Sequence, residues 1–218
     1  MKKLLVLIVC FYFTSLAFAQ FEGAKQIFES PKLASEIATH KTVAIVPFTT
    51  KITYRKQPKN FNAEANRDQE MALSKSIQNS LYTFLLRKAD NYTVSFQDVN
   101  KTNILLKKAG MEGKMDEFTA DEVAKALEVD AILGGVFETE QTKSESGAIV
   151  SAIAFGGLGG KTGTGTLTLT IYNGKDGELL YRFFKTMDDN IASSTDDLVE
   201  RMMRKVSRQF PYQNPSAN

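Results

Sequence analysis

The chain has 218 residues, with 27 Lys and Arg against 25 Asp and Glu, one His, one Cys and a formal charge of +2. A charge so near zero, without a clustered basic excess, excludes the electrostatic footprint of a nucleic-acid binder. A single His and a single Cys leave no material for a Cys/His metal centre or a disulfide framework, so a core must hold the fold unaided.

Residues 1–19 read as an export signal. Lys2 and Lys3 supply the positive start, Leu4 to Phe18 the apolar core, and Ala17-Phe-Ala19 the small-residue cleavage site before Gln20. As an uncleaved membrane anchor the stretch is short. Cys10 follows Val9 and sits inside the apolar run, so processing by signal peptidase, without a lipid anchor, is expected. Cleavage leaves 218 − 19 = 199 residues with 27 − 2 = 25 basic and 25 acidic side chains, a net charge of zero. The expected location is the periplasm or beyond it.

Residues 20–40 form an arm, with a short helix opening at Ser30-Pro31 and carrying Leu33 and Ile37. His40, the only histidine, reads as a polar residue ahead of a strand, since no second His or Cys joins it as a ligand. The domain spans 41–212. Val43 to Val46 is an apolar run suited to a strand covered on both faces, closed by Pro47, which lacks an N–H for a ladder. Thr49 to Asn62 reads as a solvated basic loop containing Lys51, Arg55, Lys56 and Lys59. A helix follows from Ala63 to Lys88, with Leu73, Ile77, Leu81, Phe84 and Leu85 on one stripe.

Tyr92 to Phe96 is the second strand, and strand–helix–strand order asks for a parallel pair. Asn100 caps a helix over Lys101 to Ala109 that Gly110 ends. Thr119 and Glu122 form a capping box for a helix placing Val123, Ala124 and Leu127 inward. Ala131 to Phe137 is a central strand in which Gly134 and Gly135 mark a close backbone approach or a bulge. Thr164 to Tyr172 alternates strictly, with Leu167, Leu169 and Ile171 on one face. Asn173-Gly-Lys-Asp-Gly177 turns it into a hairpin with Glu178 to Thr186. Ser194 caps a last helix carrying Leu198, Met202, Val206 and Phe210, which Pro211 stops; residues 213–218 form a loose tail. The expected fold is a single α/β domain, a mixed sheet flanked by helices in the order β-α-β-α-α-β-β-β-α, ending in a β-hairpin and a helix.

Catalytic chemistry finds little to build on. Phe155-Gly-Gly-Leu-Gly-Gly-Lys-Thr162 has the end of a phosphate loop, but Phe155 stands where the first glycine belongs and a strand follows instead of a helix. Asp188-Asp189 could hold a cation or stand in a solvated turn. Asp196-Asp197 opens a helix, where acids complement the dipole. No catalytic residue, cofactor or metal site is therefore expected, and Asp188-Asp189 is all that an envelope hydrolase could draw on. The insertion 147–165 stands apart. Its apolar half carries Ile149, Val150, Ile153, Phe155 and Leu158 ahead of a glycine-rich half. Two readings stay open: packing back on the sheet, or an exposed contact for a partner protein or membrane surface through 148–158.

The strand Lys41-Thr-Val-Ala-Ile-Val-Pro-Phe48, the segment Val94-Ser-Phe-Gln-Asp98 and the strand Val129-Asp-Ala-Ile-Leu-Gly-Gly-Val136 resemble, in that order, the curli-secretion (CsgG-like) family and the amino-terminal domain of TolB. Ser30-Pro-Lys-Leu33 and Phe210-Pro-Tyr212 are similar to segments of a set of exported Bacteroidetes-type proteins. The resemblance covers about residues 30–212. It implies a non-enzymatic envelope accessory protein that assists assembly, secretion or transport through protein contacts. A ring-forming or outer-membrane-associated oligomer related to the secretion channels is the alternative. Those channels use long alternating hairpins, and the insertion here is short.

Overall fold

The structure is a computed structural model that describes residues 25–141, 163–187, 195–206 and 209–214. The leader, the apolar half of the insertion with Ile149, Val150, Ile153, Phe155 and Leu158, Asp188-Asp189 and the Ser194 cap lie outside the described residues.

Strand β5 (Ala131–Gln141) organises the sheet. On one side it pairs antiparallel with β6 (Gly163–Asn173), which pairs antiparallel with β7 (Leu179–Met187), and β7 with β1 (Lys25–Glu29). On its other side β5 takes two strands in succession, both parallel: β2 (Thr42–Ile45), then β3 (Thr49–Tyr54). The short β4 (Ser95–Phe96) lies parallel outside β2, completing a seven-stranded mixed sheet. Ile45 and Leu133 are register partners and both fully buried, the juxtaposition that the covered-strand reading demands.

Among the described residues five α-helices cover the sheet: α1 (Leu33–Ile37), α2 (Ala63–Leu86), α3 (Val99–Lys108), α4 (Ala120–Leu127) and α5 (Thr195–Val206). On one face α2 and α5 pack over Val43, Ile45, Leu133, Phe137, Leu167, Leu169, Ile171 and Phe183. The predicted α2 stripe is buried throughout, from Leu73 to Leu85. Each such side chain contributes roughly 1.5–3 kcal/mol, so this layer supplies most of the cohesion. On the other face α3 and α4 cover only Ala44, Val46 and Ile132, with Tyr172 at the margin.

Pro47 does break the first strand, and the chain resumes pairing two residues on. Ile45 opposes Leu133 and Thr49 opposes Val136, so Val46, Pro47 and Phe48 span the gap beside Gly134 and Gly135. This is a bulge of one residue. The glycines are there for room: a Cβ on Gly134 would meet Val46 Cγ2 at 2.8 Å, and one on Gly135 would strike the Thr168 carbonyl and Phe48 Cε1. The carbonyls freed at the break find partners on α2, where Gln78 Nε2 donates to Ile45 O at 2.7 Å and Ser74 Oγ to Phe48 O at 2.5 Å. Both polar side chains are buried within the apolar stripe for that reason.

Several boundaries differ from the sequence reading. Residues 49–54, read as a basic loop, are a strand with Thr50, Ile52 and Tyr54 turned towards α2 and Thr49, Lys51 and Thr53 outward. Residues 25–29, read as part of an arm, are a strand too. The order is therefore β-α-β-β-α-β-α-α-β-β-β-α. Helix α1 begins at Leu33, after a turn at Pro31 and Lys32. Helix α3 begins at Val99, capped by Asp98, whose carboxylate accepts from Lys101 N at 3.0 Å; Asn100 lies inside it. The capping box at Thr119 and Glu122 forms as read, and Gly110 stands at φ 72° after α3. Strand β5 runs four residues past Phe137. Phe210 packs into the core beyond the end of α5 at Val206. Gln213 bridges to Tyr92, and Asn214 N donates to Asn91 O at 2.8 Å.

Substituting Gly135→Ala should cost about 3 kcal/mol or prevent folding, because backbone rather than a movable side-chain end blocks the new methyl. Gly110→Ala, with open space around it and only a left-handed backbone to strain, should cost about 1 kcal/mol. Urea unfolding of both variants checks the ranking.

Candidate functional site

Among the described residues the unequal helix layers leave one sheet surface open. Residues paired across the strands share a face, so the register places Gln26 and Phe28 of β1, Arg182, Phe184 and Thr186 of β7, and Thr166, Thr168 and Thr170 of β6 on one side. Val136, Glu138 and Glu140 of β5 and Thr49, Lys51 and Thr53 of β3 continue it. This is the side opposite α2 and α5, and α3 and α4 reach only its β2 end. Phe28 is 48 % exposed, Phe184 and Val136 are half-buried, and Lys51, Glu138 and Arg182 are exposed.

The surface carries hydroxyls and both signs of charge. Thr166 Oγ1 donates to Glu138 Oε2 at 3.3 Å, and Arg55 Nη2 lies 3.8 Å from Glu140 Oε2. Lys51, Thr53, Glu138, Glu140, Thr166 and Thr186 line a shallow cleft of about 300 Å³. Such a lining suits hydrogen bonding to a polar protein surface, with Phe28 and Phe184 as apolar contacts beside it. Among the described residues no group of three or more His, Cys, Asp and Glu could hold a metal ion, and no helix is long and apolar enough to cross a membrane.

The sequence candidates fall elsewhere. His40 is buried (6 % exposed), with Nδ1 2.8 Å from the Tyr212 hydroxyl and Nε2 3.3 Å from Asn173 Oδ1. The Asn173 amide donates through Nδ2 to Glu36 Oε2 at 3.2 Å, which turns Oδ1 towards the imidazole. A neutral ring then donates from Nε2 and accepts the tyrosine proton at Nδ1. Both nitrogens are engaged, so His40 ties the start of β2 to the hairpin turn and the C-terminal segment. Beside it, Asp130 accepts from the Lys41 and Thr42 amides at 2.8 Å each. Burial pushes its carboxyl up, but those two amides, together with the neighbouring His40 and Lys41 side chains, hold it below the usual carboxylate range. Asp196 and Asp197 lie in the first turn of α5, as acids complementing its dipole. Lys51 and Arg55, read as loop charges, stand on or beside β3 at the open face. The open face itself escaped the sequence reading; its signal was the outward threonine row of β6.

No family model and no curated protein matches the chain. Among solved structures the chain is similar to the PelC dodecamer from Paraburkholderia phytofirmans, at 13 % identity over 88 % of this chain and 99 % of that one, with a TM-score of 0.39. It is similar to lipoprotein GNA1162 from Neisseria meningitidis, at 12 % identity over 81 % and 99 %, with a TM-score of 0.41. The LpoB C-terminal domain from Salmonella enterica follows at 10 % identity over 71 % and 92 %, with a TM-score of 0.35. Likeness at these values carries no argument about what the chain does.

Two outcomes test the buried tie. Tyr212→Phe leaves the imidazole without its hydroxyl partner and should lower the unfolding free energy by about 1–3 kcal/mol. Asp130 has a folded pKa below its unfolded value, so its contribution is present above about pH 4 and is lost as pH falls through the folded pKa. Urea unfolding between pH 7 and pH 3 should show Asp130→Asn weaker than the parent at neutral pH, with the difference shrinking in acid.

Proposed function

We propose that the chain is a non-enzymatic accessory protein of the cell envelope, exported by its leader, that holds a partner protein of an assembly, secretion or transport complex. The observation that carries this reading is the open sheet face, where Thr166, Thr170, Lys51 and Glu138 stand beside half-exposed Phe28 and Phe184. A sheet side that merely faces water has no need of aromatics beside paired charges. A contact surface uses both, the aromatics for buried area and the charges for register.

The apolar run with Ile149, Val150, Ile153, Phe155 and Leu158 is the second part of the proposed contact. Strands β5 and β6 stay paired as far as Gln141 and Gly163, so the insertion leaves and rejoins the sheet at one point beside the cleft. The order of motifs, similar to the curli-secretion group, supports the same reading and a periplasmic setting.

A photo-crosslinking residue placed at Thr166, Thr186 or Lys51 in living cells should capture the same envelope protein from each position. One placed at Met71, exposed on the far side of α2, should not. Equal capture from Met71, or none from the sheet, rejects the surface. Removing residues 147–162 should lower capture at least tenfold without changing the thermal melt.

A further inference from the structure

The sheet has three free margins, and two of them are sealed. At β3 the outward N–H of Ile52 donates to Glu70 Oε1 at 2.8 Å, and its carbonyl accepts from Asn66 Nδ2 at 3.3 Å, both from α2. Just ahead of β4, Thr93 N donates to Tyr212 O and Asn214 N to Asn91 O, so the C-terminal segment takes up backbone groups at that margin. At β1 the described residues pair only with β7, and Lys25, Gln26, Phe28 and Glu29 are all exposed. An unsealed edge is a template for another strand.

We propose that β1 is a self-association edge: two copies of the chain pair antiparallel through it, about a two-fold axis at Ile27. The geometry selects this register. Ser30 N donates to Leu180 O at 2.9 Å, so Ser30 and Leu180 are a hydrogen-bonded pair. Bonded and non-bonded pairs alternate along an antiparallel ladder. Phe28 and Gln26 therefore turn their backbone groups to β7, and Lys25, Ile27 and Glu29 turn theirs outward. Antiparallel pairing must oppose outward residues to outward residues. Only the register centred on Ile27 uses all of them, for about six backbone hydrogen bonds.

The side chains agree with that register. Lys25 of one copy falls opposite Glu29 of the other, twice over, which favours the pairing where like charges would oppose it. Lys25, Ile27 and Glu29 share the face of α2 and α5, with Ile27 packed on that core. A two-fold axis through the sheet keeps faces matched, so the two Ile27 side chains meet there. On the open face each Phe28, 48 % exposed in the single chain, becomes a diagonal neighbour of its counterpart at about 7–8 Å, within aromatic reach. The interface is isologous and closes at two copies. It also makes the two open faces one continuous surface, a consequence independent of whether that surface holds a partner.

The test is sedimentation of the full chain, expressed and processed in a bacterial host, across a thousandfold concentration range. The parent should reach a dimer. Lys25→Glu alone, or Glu29→Lys alone, should weaken dimerisation about tenfold by setting like charges opposite each other, and the double exchange should restore it. Ile27→Pro removes an outward N–H without touching the β1–β7 ladder and should leave a folded monomer by circular dichroism. A parent that stays monomeric throughout, or an oligomer indifferent to these substitutions, overturns the proposal. Loss of the dimer with crosslinking at Thr166 retained would leave the proposed contact face standing, and the reverse would separate the two readings in the other direction.

Discussion

The fold depends on one strand being long enough to carry two neighbours end to end. Strand β5 takes β2 along its first residues and β3 along its last, with a slip of one residue between them. The slip is possible only where the facing strand has no side chains, and Gly134 and Gly135 stand at that point. Two glycines in a central strand weaken it by themselves. Here the loss is offset by Phe48, which fills the space they leave, and by Gln78 and Ser74, which take up the carbonyls that Pro47 and the bulge release. The break, the glycines and the two polar residues in the α2 stripe are thus one device.

That device explains why the chain has sheet beyond its helices. Without the bulge, the segment after Pro47 would leave the ladder, and the second half of β5 would have β6 alone. With it, β3 continues the sheet towards the insertion, and the helices of one side stop short. Helix α4 has eight residues and α3 ten, too few at 1.5 Å per residue to follow strands of eleven residues at about 3.3 Å each. The open face is the geometric remainder of that mismatch.

Legibility in the sequence followed the strength of periodic signals. The stripe of α2, the capping box of α4, the covered run at Val43 and the strict alternation of β6 could all be read, because each repeats one physical requirement over many residues. Strand β3 carries no such signal: only Thr50, Ile52 and Tyr54 face inward, and the lysines around them read as a solvated loop. Strand β1 carries none either, because an edge strand of five residues buries little and alternates over too short a span. Asp98 and Asn100 both suit a helix cap, and only the fold decides which one precedes the first turn. The open face shows in the sequence only through the outward threonines of β6, since its extent follows from which strands pair and how far the helices extend.

The buried tie around His40 bears on the same question of what holds where. Its members come from α1, the start of β2, the hairpin turn and the C-terminal segment, four places far apart in sequence. A hydrogen-bonded cluster of this kind adds less net stability than an apolar patch of equal size, since desolvation opposes it. It does impose direction, because an imidazole with two defined partners admits one arrangement of them. Tyr212 is fully buried there, and Gln213 and Asn214 lie along Asn91 to Thr93. Residues 212–214 are thereby committed to the backbone just ahead of β4. The opposite margin, at β1, receives no such segment from the described residues, which are asymmetric in the respect that governs association: backbone groups taken up at one side of the sheet, open at the other.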